Sequence, residues 1–556
     1  MSLPEFSTQS ELFSTAGCSR QLFPATDRFR LFAQKIYPVL SGIRVQLEAC
    51  YCADNGRVAV EPVLLMGVSL LQYLEAIPDR QAVELLRYHA GWNFALNRQV
   101  GDDLFHPTTL VNFRQRLLEH DLSALGFQAV LEALMAAGLV ARKSRQRLDS
   151  TQMFGRVSRL SRLDCVGETL RLALQELGES LPEARRPEWW GKLWNDYVES
   201  QPDYRASLET LARKMAEAGK AAQQVLDWLA SAADKQLAQG KQAQLLARVV
   251  GEQFEVVAAT GQAEPKTKQQ LSSERVQNPH DPDATYASKG KGEQRKEHVG
   301  YKVQVAETVT EAVLDPGEPT RNFIVGVLTH AERESDEEGA CKMAAEQQTM
   351  GLEKPPVQYV DAAYISTQKL VETAAEGHEL IGPAAKSGGS NDGRFHSEEF
   401  HVEVERRRAT CPAHHQNTQC SRLVEDATGR VAYRFEWETA TCAACPLRLK
   451  CIKDEHKHRT LVVGENHSVL QARRQEQRTD AFKKRLKHRN AIEGTQSELV
   501  RAHGLRRARY RGLGKARLQN YWAAAACNVK RWLCRLAWET RLSLSPTGVS
   551  ATPVAN

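Results

Sequence analysis

Apolar positions recur with a helical period over residues 28–140. Pro62-Val63-Leu64-Leu65-Met66 begins a run that continues through Leu70, Leu71 and Leu74. Pro62 suits a first helical turn, where no amide donor is needed. Pro78 stops this run. Asp79 is placed to cap a following helix that carries Val83, Leu85 and Leu86 and ends before Gly91. His106-Pro107-Thr108-Thr109 opens another, with Leu110, Phe113 and Leu117 on one stripe and Arg114 and Arg116 elsewhere. These short helices with tight connections predict an all-α N-terminal domain over 28–140, helix-turn-helix-like and DNA-binding-like. Residues 1–27 carry no sustained pattern and read as a mobile lead-in.

The period then changes. Gln146 to Thr151 reads as a strand that delivers Asp149 to its end, the first strand of a core over 141–162. Residues 163–295 are predicted to be a helical insertion, with a helical period from Leu208 to Phe254, followed by a polar mobile loop over 259–295. The core resumes over 296–386. Val299 to Val305 alternates as a strand does, and Phe323 to Leu328 is a continuous apolar run. Glu334 to Gln347 fits a helix, Val357 to Asp361 a strand, Thr367 to Ala375 a helix and Glu379 to Gly382 a short strand. Strands alternating with helices predict an α/β core with a mixed sheet flanked by helices. Residues 387–467 interrupt it with five cysteines and β-like runs. Residues 468–538 are helical and basic, and 539–556 read as a disordered tail.

Composition narrows the class. The chain has 556 residues, 42% hydrophobic and 26% charged, which suits a soluble globular protein of several modules. No run of about 18 apolar residues is present, so no membrane-spanning helix is expected. The N-terminus lacks the basic-then-apolar layout of a signal peptide, which predicts a cytoplasmic protein. Its twelve cysteines then read as thiols or metal ligands. The net charge is +6, yet Gln471 to Arg535 holds eighteen Lys and Arg against four Asp and Glu. Such an excess fits a polyanion partner, nucleic acid above all; a solvated helical face is the alternative.

Candidate chemistry centres on Asp149, Asp361 and Glu493. The first two follow apolar residues in predicted strands, where the ligand sites of open α/β sheets lie. Glu493 lies in the predicted helix Arg489-Asn490-Ala491-Ile492-Glu493-Gly494. If the three converge, a cation must neutralise them, and hard oxygen donors favour Mg²⁺ or Mn²⁺. Two such ions could activate a water or a 3′-hydroxyl and stabilise the leaving oxygen of a phosphodiester. Spacing alone leaves open that each acid is a cap, a turn or a surface residue.

The residues around these acids resemble the DDE transposases of bacterial insertion sequences. The matching blocks are Asp149-Ser150-Thr151, Asp281-Pro282-Asp283-Ala284, Gly300-Tyr301-Lys302-Val303, Val360-Asp361-Ala362-Ala363-Tyr364 and Arg489 to Gly494. Downstream, His503 to Gly512 and Asn528-Val529-Lys530-Arg531 are similar too, and Pro62 to Arg114 resembles the helical domain that often precedes the core. The resemblance implies an RNase H-like core with an all-α N-terminal domain and two insertions, one helical and one cysteine-bearing. It implies two Mg²⁺ (or Mn²⁺) ions held by Asp149, Asp361 and Glu493. It implies double-stranded DNA, element ends and target, as partner, and a homodimer in the DNA complex. Arg489, one helical turn before Glu493, would hold a phosphate or orient a carboxylate; an i,i+4 surface ion pair is the alternative. Arg501, Arg506, Arg507, Arg509, Arg511 and Lys515 are further candidate DNA contacts, with Lys302 and Lys386 weaker ones. Three departures stand out: Ala363 where a Gly is usual, Leu486 where a Tyr is common, and Val500 where a Lys is common.

Cys411, Cys420, Cys442, Cys445 and Cys451 form a cluster whose C-x-x-C pair suits tetrahedral Zn²⁺, with His414 and His415 as substitutes. Reduced thiols packed in a small β module are the alternative. Trp437 in the same insertion reads as a core residue or as a stacking aromatic for DNA. The activity implied is metal-dependent cleavage at element ends and strand transfer into target DNA. A catalytically silent transposase-derived DNA-binding protein and a two-metal nuclease without strand transfer are the alternatives.

Overall fold

The computed structural model describes residues 2–3, 20–52, 56–99, 101–200, 207–231, 235–257, 261–290, 292–384, 393–425, 429–453 and 455–544. Lys386 and residues 545–556 of the tail lie outside them.

Helix α1 (Pro62–Leu74) begins at its proline, and the Glu61 side chain accepts from the Val63 N–H at 3.3 Å. All but its last residue are buried, so α1 is the centre of the helical region and not an exposed reading helix. Helix α2 (Asp79–Tyr88) follows Pro78. Asp79 is its first residue rather than its cap, because its carboxylate is taken by Arg114 at 2.5 Å. Arg114, expected off the buried stripe of α3 (Thr108–Glu119), is therefore buried, and its guanidinium also covers the Tyr510 ring. Part of the presumed lead-in is packed as well: Phe23 is buried, with its ring 4.6 Å from that of Phe94.

Helix α4 (Leu125–Ala136) leads to β1 (Gln146–Phe154). This strand is longer than its Asp-Ser-Thr turn chemistry suggests. It pairs antiparallel along its whole length with β3 below, which overrides the local turn preference and puts Asp149 in mid-strand. Helices α5 (Arg162–Ser180), α6 (Leu208–Ser231) and α7 (Lys241–Gln253) then pack on one another through their own cluster, which includes Leu174, Val225 and Leu246. The segment expected to be a polar loop supplies β2 (Thr285–Lys289), because its backbone pairs with the next strand.

Strand β3 (Lys296–Thr308) is the spine of the main sheet. On one edge it pairs antiparallel with β1. Its other edge is shared by β2 and by β4 (Ile324–Ala331), both antiparallel. Helix α8 (Asp336–Thr349) starts in a capping box in which Ser335 and Glu338 satisfy each other's amides. Strand β5 (Val357–Tyr359) pairs parallel with β1, and after α9 (Thr367–Ala375) strand β6 (Glu379–Ile381) pairs parallel with β5. The sheet is therefore mixed, ordered β4–β3–β1–β5–β6 with β2 beside β4, and β3 alone runs against β1.

The cysteine-bearing segment carries a separate three-stranded sheet: β7 (Gln419–Val424), β8 (Val431–Glu436) and β9 (Thr460–Gly464). The chain returns through α10 (His467–Glu476), α11 (Asp480–Ala502) and α12 (Leu513–Leu544). Helix α12 continues beyond residue 538, where the tail was expected to begin. It joins both halves of the molecule. Asn528 on α12 accepts from the Ile324 N–H and donates to the Ile324 carbonyl, both at 2.8 Å, which docks α12 on β4. On its other side Trp522 stacks on Tyr73 of α1, and Tyr521 on Phe127 of α4. One continuous hydrophobic core accordingly runs from the N-terminal helices through α12 into the sheet. The N-terminal helices are thus packed onto the sheet and not set apart from it.

Candidate active site

Asp149 is 8% exposed on β1. Its Oδ1 accepts from the Ser150 N–H at 2.8 Å and its Oδ2 from Arg489 Nη2 at 2.9 Å. Asp361 lies two residues past β5, in extended backbone, and caps a single turn over Ala362–Tyr364 by accepting from the Ala363 N–H at 2.8 Å. Ala363 is not among the positive-φ residues, so a Cβ is tolerated there and glycine's freedom is not needed. Glu493 is exposed on α11, one turn beyond Arg489. These residues, brought from three distant parts of the chain, line one pocket of about 730 Å³.

A buried ionic network fixes α11 over this pocket. Glu307 on β3, 1% exposed, bonds Arg147 of β1 at 2.5 Å, Thr495 of α11 at 2.7 Å, and Arg531 of α12. Arg147 also donates to the His488 carbonyl at 3.2 Å, and Arg531 to Thr495 at 2.8 Å. Four elements are tied at one point just beneath Asp149. Every charge there has a partner, which is the condition for burying charge. The Asp281-Pro282-Asp283 block has a comparable anchoring role. Asp281 accepts from the Gly512 N–H at 3.0 Å and from Tyr301 at 2.6 Å, and Asp283 accepts from the Leu513 N–H at 2.9 Å. The two carboxylates sit at the N-terminus of α12, where the helix dipole favours negative charge.

The pocket is lined by acidic and basic side chains in equal number. Burial pushes the Asp149 carboxyl above the usual aspartate range; Arg489 and the Ser150 N–H pull it back, and the charges of Asp361 and Asp336 push it up again. The Tyr364 hydroxyl is buried beside the same carboxylates and is raised well above an ordinary phenol, by burial first and then by Asp336 and Asp149. Sequence reasoning missed Asp336 and Glu332, which line the pocket. Asp336 faces Lys302 Nζ at 3.3 Å, and Glu332 accepts from Gln152 at 3.2 Å. The Ser335-x-x-Glu338 capping box was the available signal for Asp336, since it places that residue at the first position of a helix.

The triad carboxylates are not drawn into a tight cluster. Among the described residues, the group with three ligand atoms all within 4.8 Å of one another is Glu498, His503 and Cys527. Carboxylates repel, and Arg489 holds Asp149 on its own side of the pocket. Glu498 is an unsuitable cation ligand, because Lys530 at 2.8 Å and Arg531 at 2.9 Å already neutralise it.

The candidate DNA contacts divide. Arg489, Lys302 and Arg506 line the pocket, and Arg506 donates to the Gln152 carbonyl at 3.1 Å. Arg501, Arg507, Arg511 and Lys515 are exposed. Arg509 is turned inward: it donates to the Ile77 carbonyl at 3.1 Å and covers the Tyr73 ring, so it joins the two halves of the core. Of the departures, Leu486 packs against the small cluster that includes Tyr359 and Phe482, and Val500 packs on the main core. Cys411, Cys442, Cys445 and Cys451 surround one small cavity, and Cys420 is not among its walls. Trp437 is 3% exposed, donates to the His415 carbonyl at 2.9 Å and packs on Phe400, a core role.

A second cleft of about 730 Å³ lies between β9, α10 and the cysteine segment. Among the described residues, its walls carry Arg434, Lys453, His456, His458, Arg459 and Arg474 and no acidic side chain. Among the described residues, no helix is long and apolar enough to cross a membrane.

Two family models match the chain. Residues 410–533 match Transposase DDE domain, and residues 18–116 match Transposase domain (DUF772). Both are transposase domains, and they indicate transposase function. The first covers Glu493, α11 and most of α12, while Asp149 and Asp361 lie upstream of it. No curated protein matches the chain.

Proposed function

We propose that this chain, two segments of which match transposase family models, is a DDE transposase that cleaves DNA at the ends of an insertion sequence and transfers the strand to target DNA, with Asp149, Asp361 and Glu493 as its acidic triad. The observation that carries this reading is that the three acids line one pocket together with Arg489, Lys302 and Arg506. The sheet supports it: first, fourth and fifth strands parallel, the second antiparallel, order third–second–first–fourth–fifth, with β2 as an added edge piece, is the arrangement of an RNase H-like core.

The donor set fits a hard divalent cation. Each Asp149 oxygen makes one hydrogen bond and keeps a further acceptor position. Asp361 likewise spends one oxygen on its own turn. Asp149, Asp361 and Glu493 would hold Mg²⁺ or Mn²⁺, which when bound supplies charge neutralisation and an activated oxygen nucleophile. The protein's own share is positional. The network at Glu307 sets α11 against β1, and Arg489 holds the Asp149 carboxylate in place. Lys302 and Arg506 offer cationic groups to a phosphate on the pocket wall. Exposed Arg501, Arg507, Arg511 and Lys515 and the basic cleft beside α10 give the DNA backbone further purchase. Joining two ends makes a homodimer on the DNA the expected active form.

The test is an assay with DNA carrying the element's own ends, a target plasmid and Mg²⁺. Cleavage at the ends followed by joining is expected. Cleavage without joining would make the chain a nuclease, and end binding without cleavage would make it a silent DNA-binding protein.

A further inference from the structure

The cysteine-bearing segment has little to hold it together by burial. Among the described residues its core cluster has six buried hydrophobic members: Phe400, Ala409, Phe435, Trp437, Leu461 and Val463. Strand β7 is almost wholly exposed. A unit with so small a core ordinarily needs a covalent or metal staple.

The walls of its small cavity supply the parts of one. Cys411, Cys442, Cys445 and Cys451 converge on a space of about 20 Å³, room for one ion or water. Short-range backbone hydrogen bonds hold all four in place. The Cys411 N–H bonds the His415 carbonyl at 2.9 Å across a turn in which His414 takes φ 64°. Cys442 and Cys445 flank the end of the short helix Thr439–Ala443, and the Cys451 N–H bonds the Arg448 carbonyl at 2.9 Å. Two cations share the cavity wall. Arg459 is held by the Cys451 and Phe395 carbonyls at 2.9 and 3.2 Å, and Arg448 by the His456 carbonyl at 3.0 Å. Four thiolates around a divalent ion leave two negative charges, which Arg448 and Arg459 offset.

We infer that Cys411, Cys442, Cys445 and Cys451 form a structural Zn²⁺ site, with Cys420 outside it. Four thiolates and no open position make a closed, structural coordination sphere. Binding releases the thiol protons and draws the sulfurs inward onto the ion. His415 also lines the cavity, but the four thiolates already complete a tetrahedral set, so no imidazole is required. Cys420 pairs in register with Phe435 in the sheet and is not among the residues that line the cavity.

The experiment is elemental analysis of the full-length chain, purified without chelating resin, alongside thiol counting. One zinc per chain is expected, and a chelator should make four additional thiols reactive. Cys420→Ser should keep its zinc, Cys445→Ser should lose it, and Cys445→His, which restores a ligand, should retain it. Three results would overturn the assignment: a zinc-free protein after reconstitution with the metal alone, thiols equally reactive with and without chelator, or Cys420→Ser losing zinc as Cys445→Ser does. The wild-type thiol count needs no variant to fold. None of these readouts depends on DNA cleavage.

Discussion

Asp149 lies within β1, and Asp361 lies two residues past the end of β5, the strand that runs parallel beside it. The β1–β5 ladder pairs Gln146 with Gln358 and Arg147 with Tyr359, a register that would bring Asp149 level with Asp361 if it ran two residues further. Strand β5 ends at Tyr359, so Asp361 leaves the sheet just where Asp149 is still held within it. One carboxylate is thus fixed by a full ladder and the other by a one-turn cap.

That difference predicts a pH effect. Burial and the charge of Asp361 raise the Asp149 carboxyl, and Arg489 opposes them. A raised carboxyl takes up its proton at a higher pH than a surface aspartate, so metal-dependent cleavage should fall on acidification earlier than an unperturbed carboxylate would cause. Arg489→Ala should move the acidic limb of the pH–rate profile further up, and Arg489→Lys should restore it in part. An unmoved limb in Arg489→Ala would remove Arg489 as the residue that positions Asp149.

The network at Glu307 predicts a stability effect. Glu307→Ala strands Arg147 and Arg531 in the interior, a change expected to cost about 3–5 kcal/mol. Denaturant unfolding should show it, whereas Arg213→Ala, which breaks an exposed pair with Glu217, should cost less than about 1 kcal/mol.

His467 predicts acid lability. Burial, with Arg474 adjacent, depresses its imidazole to about 4. The unfolded chain binds this proton near pH 6.5 and the folded chain does not, so the contribution is full above 6.5 and is lost as pH falls from 6.5 towards 4. His467→Gln should flatten the stability profile across that window, as measured by melting temperature against pH.

The basic cleft beside α10 predicts salt-dependent binding. Lys453→Glu with His456→Glu should weaken affinity for double-stranded DNA at least tenfold and shallow its salt dependence, while leaving the thermal midpoint nearly unchanged. Unaltered affinity in a filter-binding or anisotropy titration would take the cleft out of the DNA path.

Much of this was legible in the chain. Helix α9 matches its expected bounds, and the alternation at Val299–Val305 marks the middle of β3. Asp149, Asp361 and Glu493, which line the pocket, all lie in the short blocks that the sequence singles out. What was not legible came from long-range pairing. The turn residues Ser150 and Thr151 lie within β1 because β3 continues alongside them. The basic excess over 471–535 overstated the free charge. Arg473 bonds the Leu380 carbonyl, Arg474 pairs with Glu398, Arg531 with Glu307 and Arg535 with Glu318, so part of it holds the fold together. Nor could spacing show that Arg509 and Arg114 serve the join between the N-terminal helices and the sheet.

The most direct test of the acidic triad is a change of ligand chemistry at Asp361. Asp361→Cys replaces a hard oxygen by a thiolate, which holds Mg²⁺ poorly and softer divalent cations better. End cleavage by this variant should be lost in Mg²⁺ and recovered in Mn²⁺ or Cd²⁺, with end binding intact in each. Cleavage at the wild-type rate in Mg²⁺, or a loss that no softer cation restores, would contradict the assignment of Asp361 as a metal ligand.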